Sequence, residues 1–358
     1  MADLLPNKAI PFRQVLDALV DETQVFPAVH LHRFSDLNPA DLQALKDVWE
    51  QVPAIRRAVL LEDLEDLYDS DTLMSFDELA RFALTDENAR VRASALRLLW
   101  DYQGKDLIPT ITQLLEKDPD EVVRALAASL MGQFIFLGEL EQISTSGLHA
   151  IEELLFQTVE SGETKLVRRR ALESLGFSSR NEVSTLIQNA FDSGDPEWMA
   201  SALFAMGRSS DEGWAPSVLE MLDHHERDVQ IEAVRAAGSL EIEKARKPLL
   251  QMIKAGIDDP DLRTTAAWSL SQIGGDQVGA TLAKLLKKAE DEDEAEIIQS
   301  AIDNLEFQEG LDNFELMDFS PARHADFHEI VGDADDEEVE SWEPELSQEE
   351  DEESEDES

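Results

Sequence analysis

The apolar residues of this chain recur in a helical pattern that has a small side chain at a fixed place. After Val123, Ala127 follows four residues later and Met131 eight residues later. Offsets of four and eight lie on one face of an α-helix, which has about 3.6 residues per turn. Six other segments repeat the pattern, and the small residues of the seven segments are Ala95, Ala127, Ala171, Ala202, Ala233, Ala266 and Ala301. The pattern therefore predicts seven amphipathic helices that neighbouring helices can approach closely.

The spacing of these alanines indicates a repeat. Successive alanines are 32, 44, 31, 31, 33 and 35 residues apart, and a second apolar segment lies between each pair of copies. This period is typical of stacked helical hairpins. Asp-rich turns such as 118–124 and 258–263 precede the alanine segments and favour helix N-termini. Four glycines near the ends of these segments suggest left-handed helix termini: Gly132, Gly176, Gly207 and Gly238.

Three segments depart from the regular spacing. The 44-residue gap contains 134–147, which we expect to form an extra helix or loop, either as a plain surface insertion or as a lip over a groove. A helix from Pro39 to Glu50, capped by Asn38, is expected to seal the first hairpin. A weaker eighth copy is indicated at Ile55, with Val59 at the alanine position.

Over residues 36–308 the repeat resembles the HEAT repeats, of the short subtype found in phycobilin lyases. The resemblance implies an all-α, right-handed α-solenoid of about seven to eight helical hairpins, in which the second helix of each pair lines a concave face. It also implies that an arginine after the first apolar residue of a copy links to the turn of the next repeat. Met199, Gln230 and Ile298 replace this arginine, so the link should be absent between some copies. The arginines at the matching positions are Arg92, Arg124, Arg168 and Arg263.

The composition divides the chain into four parts. Residues 1–35 are expected to form an N-terminal helical segment, residues 36–308 the solenoid, and residues 309–331 a segment that could dock on the last hairpin. Residues 332–358 contain 16 acidic residues in 27 and no Lys or Arg. Such a segment cannot bury enough apolar area to offset its chain entropy, so the sequence predicts a disordered acidic tail.

The net charge argues against some classes of partner. The chain has 358 residues and a formal charge of −48, which repels a nucleic-acid backbone. It contains no cysteine, no signal-peptide pattern and no apolar run long enough to span a membrane, so we expect a cytoplasmic protein. The acidity either attracts a basic partner or is a solubility adaptation to a salty cytoplasm.

No catalytic, cofactor or metal site is expected from the sequence. Deoxyhypusine hydroxylases, which have this repeat type, hold two irons with several His-Glu pairs, whereas this chain has only His225-Glu226 and His328-Glu329. The alternative is a lyase-like or hydroxylase-like enzyme that uses the groove. Lysines near the ends of the intervening segments could grip an acidic ligand, but the helix dipole also explains them: Lys117, Lys254, Lys284 and Lys287.

These observations favour a non-catalytic scaffold that binds another protein on its concave face. The partner is expected to carry positive charge that the acidic tail attracts. Tryptophans near the helices are more typical of packing than of binding, although Trp214 and Trp342 are candidates for partner contact. The oligomeric state does not follow from the sequence. The full set of candidate interaction residues is Trp214, Trp342, Glu349, Glu350 and Asp351.

Overall fold

In the computed structural model, residues 10–71 and 73–315 are described, and every regular element among them is helical. The acidic tail with Trp342, Glu349, Glu350 and Asp351 lies outside the described residues, as does most of 309–331. The described residues up to Glu309 belong to one compact unit. The α-helices are α1 Phe12–Val20, α2 Pro39–Trp49, α3 Ala54–Ser70, α4 Asp77–Ala83, α5 Ala89–Leu98, α6 Ile108–Lys117, α7 Glu121–Glu139, α8 Thr145–Glu160, α9 Lys165–Leu175, α10 Asn181–Phe191, α11 Pro196–Arg208, α12 Ala215–Met221, α13 Arg227–Ser239, α14 Arg246–Ala255, α15 Pro260–Ile273, α16 Val278–Leu286 and α17 Glu292–Glu315.

The helices of this compact unit form a stack of hairpins. Each helix that carries a repeat alanine packs against the helix before it, as in the pairs α4–α5, α6–α7 and α10–α11. The alanine-bearing helices α5, α7, α9, α11, α13, α15 and α17 are called the alanine helices. The helices α4, α6, α8, α10, α12, α14 and α16 are called the intervening helices. The chain is therefore an all-α solenoid over this unit.

The repeat alanines lie at the centre of the packing. All seven have an exposed fraction of 0%. The residues four positions before them are mostly buried as well, but Ile297 is 44% exposed while its neighbour Ile298 is fully buried. A larger side chain at the alanine positions would separate neighbouring helices, so the small residue sets their spacing.

The four glycines near the ends of the repeat segments serve close contact and not left-handed turns, which corrects the prediction from the sequence. None of them has a positive φ, and Gly132, Gly207 and Gly238 lie inside helices. A Cβ atom built at Gly238 would be 2.6 Å from the Cα of Ser269 on the next alanine helix. A Cβ at Gly176 would similarly be 2.7 Å from the carbonyl oxygen of Ala205. Glycine therefore permits backbone-to-backbone approach between repeats.

The insertion at 134–147 forms neither a separate helix nor a large loop. Its first residues prolong α7 to 19 residues, and its last residues begin the 16-residue helix α8. Phe134 and Ile135 are fully buried in the prolonged part. By length and composition α7 could also span a membrane. However, 61% of its most apolar stretch is buried, as in the core helix of a folded array.

The N-terminal segment covers the first repeat. Asn38 caps α2 through hydrogen bonds from the amides of Ala40 and Asp41. Arg56 on α3 donates hydrogen bonds to the carbonyl oxygens of Asp21 and Gln24, which link α1 to α3. Because these groups cover α3, the apolar end of the stack is not left open to water.

The eighth copy is present in α3, one residue later than the sequence predicted. Ile55 is 72% exposed and Val59 is 42% exposed, so neither takes the expected buried position. Leu60 and Leu64 are buried instead, and Arg57 corresponds to the turn-linking arginine. The first position of this copy is Arg56, which is not apolar. The apolar pattern of the segment therefore indicates a register that is one residue too early.

Arginines link several repeats to the turns on either side. Arg92 donates two hydrogen bonds of 2.7 Å to the carboxylate of Asp118, in the turn before the next alanine helix. It also donates to the carbonyl oxygen of Asp86, in its own preceding turn, at 2.8 Å. Equivalent paired contacts are made by Arg124, through Asp118 O and Glu163, and by Arg263, through Ile257 O and Glu294.

Arg168 makes only half of this link. It donates to the carbonyl oxygen of Val159 at 2.7 Å and lies over the ring of Trp198, while Lys165 forms the ion pair with Asp195 of the next turn. Of the replaced positions, Gln230 still donates to a carbonyl of its own turn, and Arg227 supplies the ion pair to Asp259. Gln230 itself does not reach the next turn, and a basic residue earlier in the same helix supplies the link instead.

A Gly238→Ala substitution tests the close approach between repeats. In an open helix, alanine in place of glycine stabilises by about 1 kcal/mol. Here the new Cβ would overlap Ser269, so the free energy of unfolding should fall by about 1–3 kcal/mol in urea titrations. The control is Gly279→Ala in α16, whose Cβ would have its nearest neighbour at 3.5 Å, and it should be neutral or stabilising. Equal stabilisation by both substitutions would contradict the packing described.

An Arg92→Ala substitution tests the buried link. Arg92 and Asp118 have side-chain exposures of 9% and 3%, so removal of the arginine leaves a buried carboxylate without its partner. The expected loss in unfolding free energy is about 3–5 kcal/mol. The matched control is Arg90→Ala, because Arg90 and its partner Glu62 are 63% and 36% exposed, and it should cost less than about 1 kcal/mol. Similar losses in both variants would show that burial does not set the strength of the link.

Candidate functional site

The alanine helices line the inner face of the stack. They contact one another along the array, whereas the intervening helices contact chiefly their own hairpin partners. Because small residues shorten the spacing in one layer only, the stack curves toward that layer. In the hairpins of the structure, such as α6–α7, the second helix of each pair is thus the one that lines the inner face. Lys254 and Lys284, which lie on intervening helices, do not reach it.

A groove crosses five successive alanine helices, from α9 to α17. It encloses about 590 Å³ and is called the groove below. Its floor combines small residues, such as Ala200 and Ser201, with charged and aromatic side chains. The charged and large apolar residues of its lining are Arg169, Arg170, Glu173, Phe204, Arg227, Asp228, Ile231, Glu232, Arg235, Asp261, Trp268 and Ile297.

A chain of ionic hydrogen bonds holds the first part of the groove. Arg169 donates to the Glu197 carboxylate at 2.6 Å and to the Ser201 hydroxyl at 2.9 Å. The Ser201 hydroxyl in turn donates to the buried carboxylate of Glu173 at 2.6 Å, and Arg170 donates to the other oxygen of Glu173 at 2.5 Å. These side chains thus hold one another in fixed positions.

Arg208 is a desolvated cation beside this network. Its guanidinium lies 4.3 Å from the ring centre of Phe204 and 4.5 Å from that of Phe177, and it donates to the carbonyl oxygen of Glu173. Burial lowers the pKa of Arg208 to about 10, although the nearby Glu173 carboxylate opposes this shift. The group remains charged at neutral pH and presents a cation supported by aromatic faces.

The acidic and apolar residues of the groove alternate with its arginines. Burial raises the pKa of Glu232, and Arg235, which donates to it at 3.0 Å, opposes the shift. Trp268 is 40% exposed and Ile297 is 44% exposed. The groove therefore offers apolar contact area between fixed charges.

The candidate interaction residue Trp214 does not line the groove. Its exposed fraction is 9%, and it lies in a short 3₁₀ helix, Glu212–Trp214, that leads into α12. Trp268, which the sequence did not single out, is the tryptophan of the groove. In this fold, an aromatic residue that comes just before a helix with proline in its first turn packs in the core.

The inner face continues over α3, α5 and α7 as a second hollow of about 480 Å³. The Tyr68 hydroxyl donates to the Asp101 carboxylate at 2.8 Å, and Arg97 pairs with Glu65 at 2.7 Å. Burial raises the pKa of Tyr68 to about 12, with the Asp101 hydrogen bond adding to the shift. Arg170 borders both hollows, so the two form one continuous face.

The groove residues share a register that the sequence contains. In each copy, the side chains that line the groove lie two, three and six positions after the first apolar residue. From Val167 these are Arg169, Arg170 and Glu173, and from Leu262 the sixth is Trp268. This signal is independent of the alanine stripe, which faces the neighbouring helices.

Residues with metal-binding side chains do not gather in the described part of the chain. Within 10–71 and 73–315, no group of three or more His, Cys, Asp or Glu residues is placed to hold a metal ion. The His225-Glu226 pair lies in the turn before α13, with side chains 81% and 50% exposed.

The comparisons with solved structures found several helical-repeat proteins. The complex of CpcE and CpcF of phycocyanin lyase from Nostoc is 21% identical with a TM-score of 0.44, covering 64% of this chain and 94% of that chain. Human deoxyhypusine hydroxylase is 16% identical with a TM-score of 0.34, covering 83% and 97%. Yeast importin-beta is 12% identical with a TM-score of 0.42, covering 82% of this chain and 46% of that chain. At these scores none of them assigns an activity or partner to this chain.

The family comparison identifies the repeat itself. No curated protein matched the sequence. The family model of HEAT repeats matches residues 76–145 and 215–305, which contain five of the seven alanine copies. The stacked hairpins, the alanine layer and the turn-linking arginines occur over these segments and between them. The chain therefore contains HEAT repeats over residues 76–145 and 215–305.

Proposed function

We propose that the protein is a non-catalytic scaffold that binds an extended segment of a partner protein in the groove. The observation that carries the proposal is the inner surface formed by five successive alanine helices, on which exposed apolar residues alternate with fixed charges. A surface of this length suits a peptide or a helix of a partner more than a small substrate.

The fixed charges support binding at low entropic cost. Arg169, Arg170 and Glu173 already make hydrogen bonds within the chain, so a partner does not have to order them. Half-exposed Trp268 and Ile297 supply apolar area, and large aromatic side chains account for much of the binding energy at protein interfaces. The groove is thus suited to a partner with apolar anchors between charged residues.

The acidic character of the chain adds a proposal about how the partner arrives. The formal charge of −48 attracts a basic partner over distances of about a Debye length, which is roughly 8 Å at physiological salt. Residues 332–358, outside the described part, would contribute 16 of these negative charges. We propose that they speed the encounter, and that the protein acts in the cytoplasm, where a chain without cysteine loses nothing to reducing conditions.

The experiment is affinity capture followed by quantitative binding to the captured partner. Trp268→Ala combined with Ile297→Ser should weaken binding by about tenfold or more, because it removes two exposed apolar anchors of the groove. Circular dichroism and urea unfolding check that the variant keeps its fold. A version that lacks residues 332–358 should bind with a smaller dependence on salt.

The matched control is Leu140→Ser combined with Phe307→Ala. These side chains are 51% and 66% exposed and do not line the groove. The control should keep wild-type affinity. Equal loss in both variants, or a purified protein that carries a stoichiometric metal ion or chromophore, would contradict the scaffold proposal.

A further inference from the structure

A second pocket lies away from the groove, between α14, the start of α15 and α16. It encloses about 350 Å³ and is called the lysine pocket. Its walls include the apolar side chains of Ile253, Ile257 and Leu285. It shares no lining residue with the groove. This volume is at the lower end of the range for small-molecule sites, which begins at about 300 Å³.

Four basic side chains line the lysine pocket in a chain that is strongly acidic overall. They are Lys254, Lys284, Lys288 and Arg263, and the one acidic residue of the lining is Glu290. Lys254 donates to the amide oxygen of Gln277, and none of the three lysines forms an ion pair with a carboxylate of the described residues. Helix dipoles account for Lys254 and Lys284, which lie in last turns, but not for the gathering of four cations around one hollow.

Arg263 gives the lysine pocket a fixed donor at its base. The residue is only 8% exposed, and its Nε and Nη1 groups donate to Glu294 and to the carbonyl oxygen of Ile257. Its Nη2 group makes no well-formed hydrogen bond and faces the solvent-exposed carboxylate of Glu290. A buried guanidinium held by a carboxylate that lies largely in water can exchange it for a better-placed anion, so an anion at this place would be stabilised.

Glu290 occupies the position that such an anion would take. Its carboxylate lies 3.2 Å from Nη2 of Arg263 without hydrogen-bond geometry, and its side chain is 72% exposed. A carboxylate that is largely in water can leave at little cost. An incoming oxyanion would replace it and gain the three lysines as well.

We propose that the lysine pocket binds the phosphate group of a phosphate monoester. A phosphate dianion offers three oxygens and more charge than a carboxylate, which matches three ammonium groups and one guanidinium N–H group. The apolar walls formed by Ile253, Ile257 and Leu285 would contact the organic part of the ester. The ester belongs either to a small molecule or to a phosphorylated side chain of a protein. This inference goes beyond the scaffold function and does not depend on it.

Isothermal titration calorimetry with the full-length protein tests the proposal. The probes are glycerol 3-phosphate, a phosphoserine peptide and its unphosphorylated counterpart. Lys284→Gln combined with Lys288→Gln should weaken phosphate binding about tenfold or more, because it removes two exposed cations of the pocket. Glu290→Gln should tighten binding by about threefold, because it removes the competing carboxylate.

The matched control is Lys247→Gln combined with Lys287→Gln, which changes the net charge equally at exposed positions outside the pocket. It should change affinity by less than about twofold. Tighter binding of glycerol 3-phosphate or of the phosphopeptide would identify the source of the ester. The proposal is overturned if neither phosphate probe binds at millimolar concentration, if the unphosphorylated peptide binds as well as the phosphopeptide, or if the control loses as much affinity as the pocket variant.

Discussion

Direct contact between the alanine helices is the constraint on which the rest of this structure depends. Alanines with no exposed surface, and glycines such as Gly176 and Gly238 where a Cβ would overlap the next helix, bring the backbones of successive repeats together. Each repeat buries its apolar face only against its neighbours, so the stack has no single core to compensate for a loosened contact. The same contact shortens the spacing between the helices of one layer. The curvature that results creates the groove. A substitution that enlarges a side chain between the alanine helices should therefore alter both the stability and the shape of the groove.

The turn-linking arginines fix the register of neighbouring hairpins. Apolar packing alone would allow neighbouring hairpins to slide, whereas Arg92 and Arg263 reach a carbonyl of one turn and a carboxylate of the next. Most of these groups are buried, so a shifted register would leave charges without partners. The numerous carboxylates of the chain thus have different roles. Those in the turns fix the repeats, and those in the groove, such as Glu173, hold its arginines in place.

The sequence predicted the repeat well because its signal is periodic and local. Seven alanines in one register identify the alanine helices, and the Asn38 and turn-aspartate caps follow from short-range hydrogen bonds. Gly238 was misinterpreted because glycine near a helix end usually indicates a left-handed turn, and only the neighbouring Ser269 shows that close approach is the reason. The prolonged α7 was missed because 134–139 was judged by repeat length and not by its helical phase. The sequence did not distinguish Trp214 from Trp268, because which of the two is buried and which lines the groove depends on the packing of neighbouring repeats.

Cysteine cross-linking is the most direct test of this constraint, since the chain contains no cysteine of its own. A Cβ built at Gly207 would lie 3.4 Å from the Cβ of Ala236, close to the separation of about 3.8 Å in disulfides. Gly207→Cys with Ala236→Cys should form a disulfide rapidly under mild oxidation in the native state. Thr185→Cys with Glu220→Cys, on the intervening helices α10 and α12, should react far more slowly. Equal rates for the two pairs, or no cross-link between α11 and α13, would contradict the account.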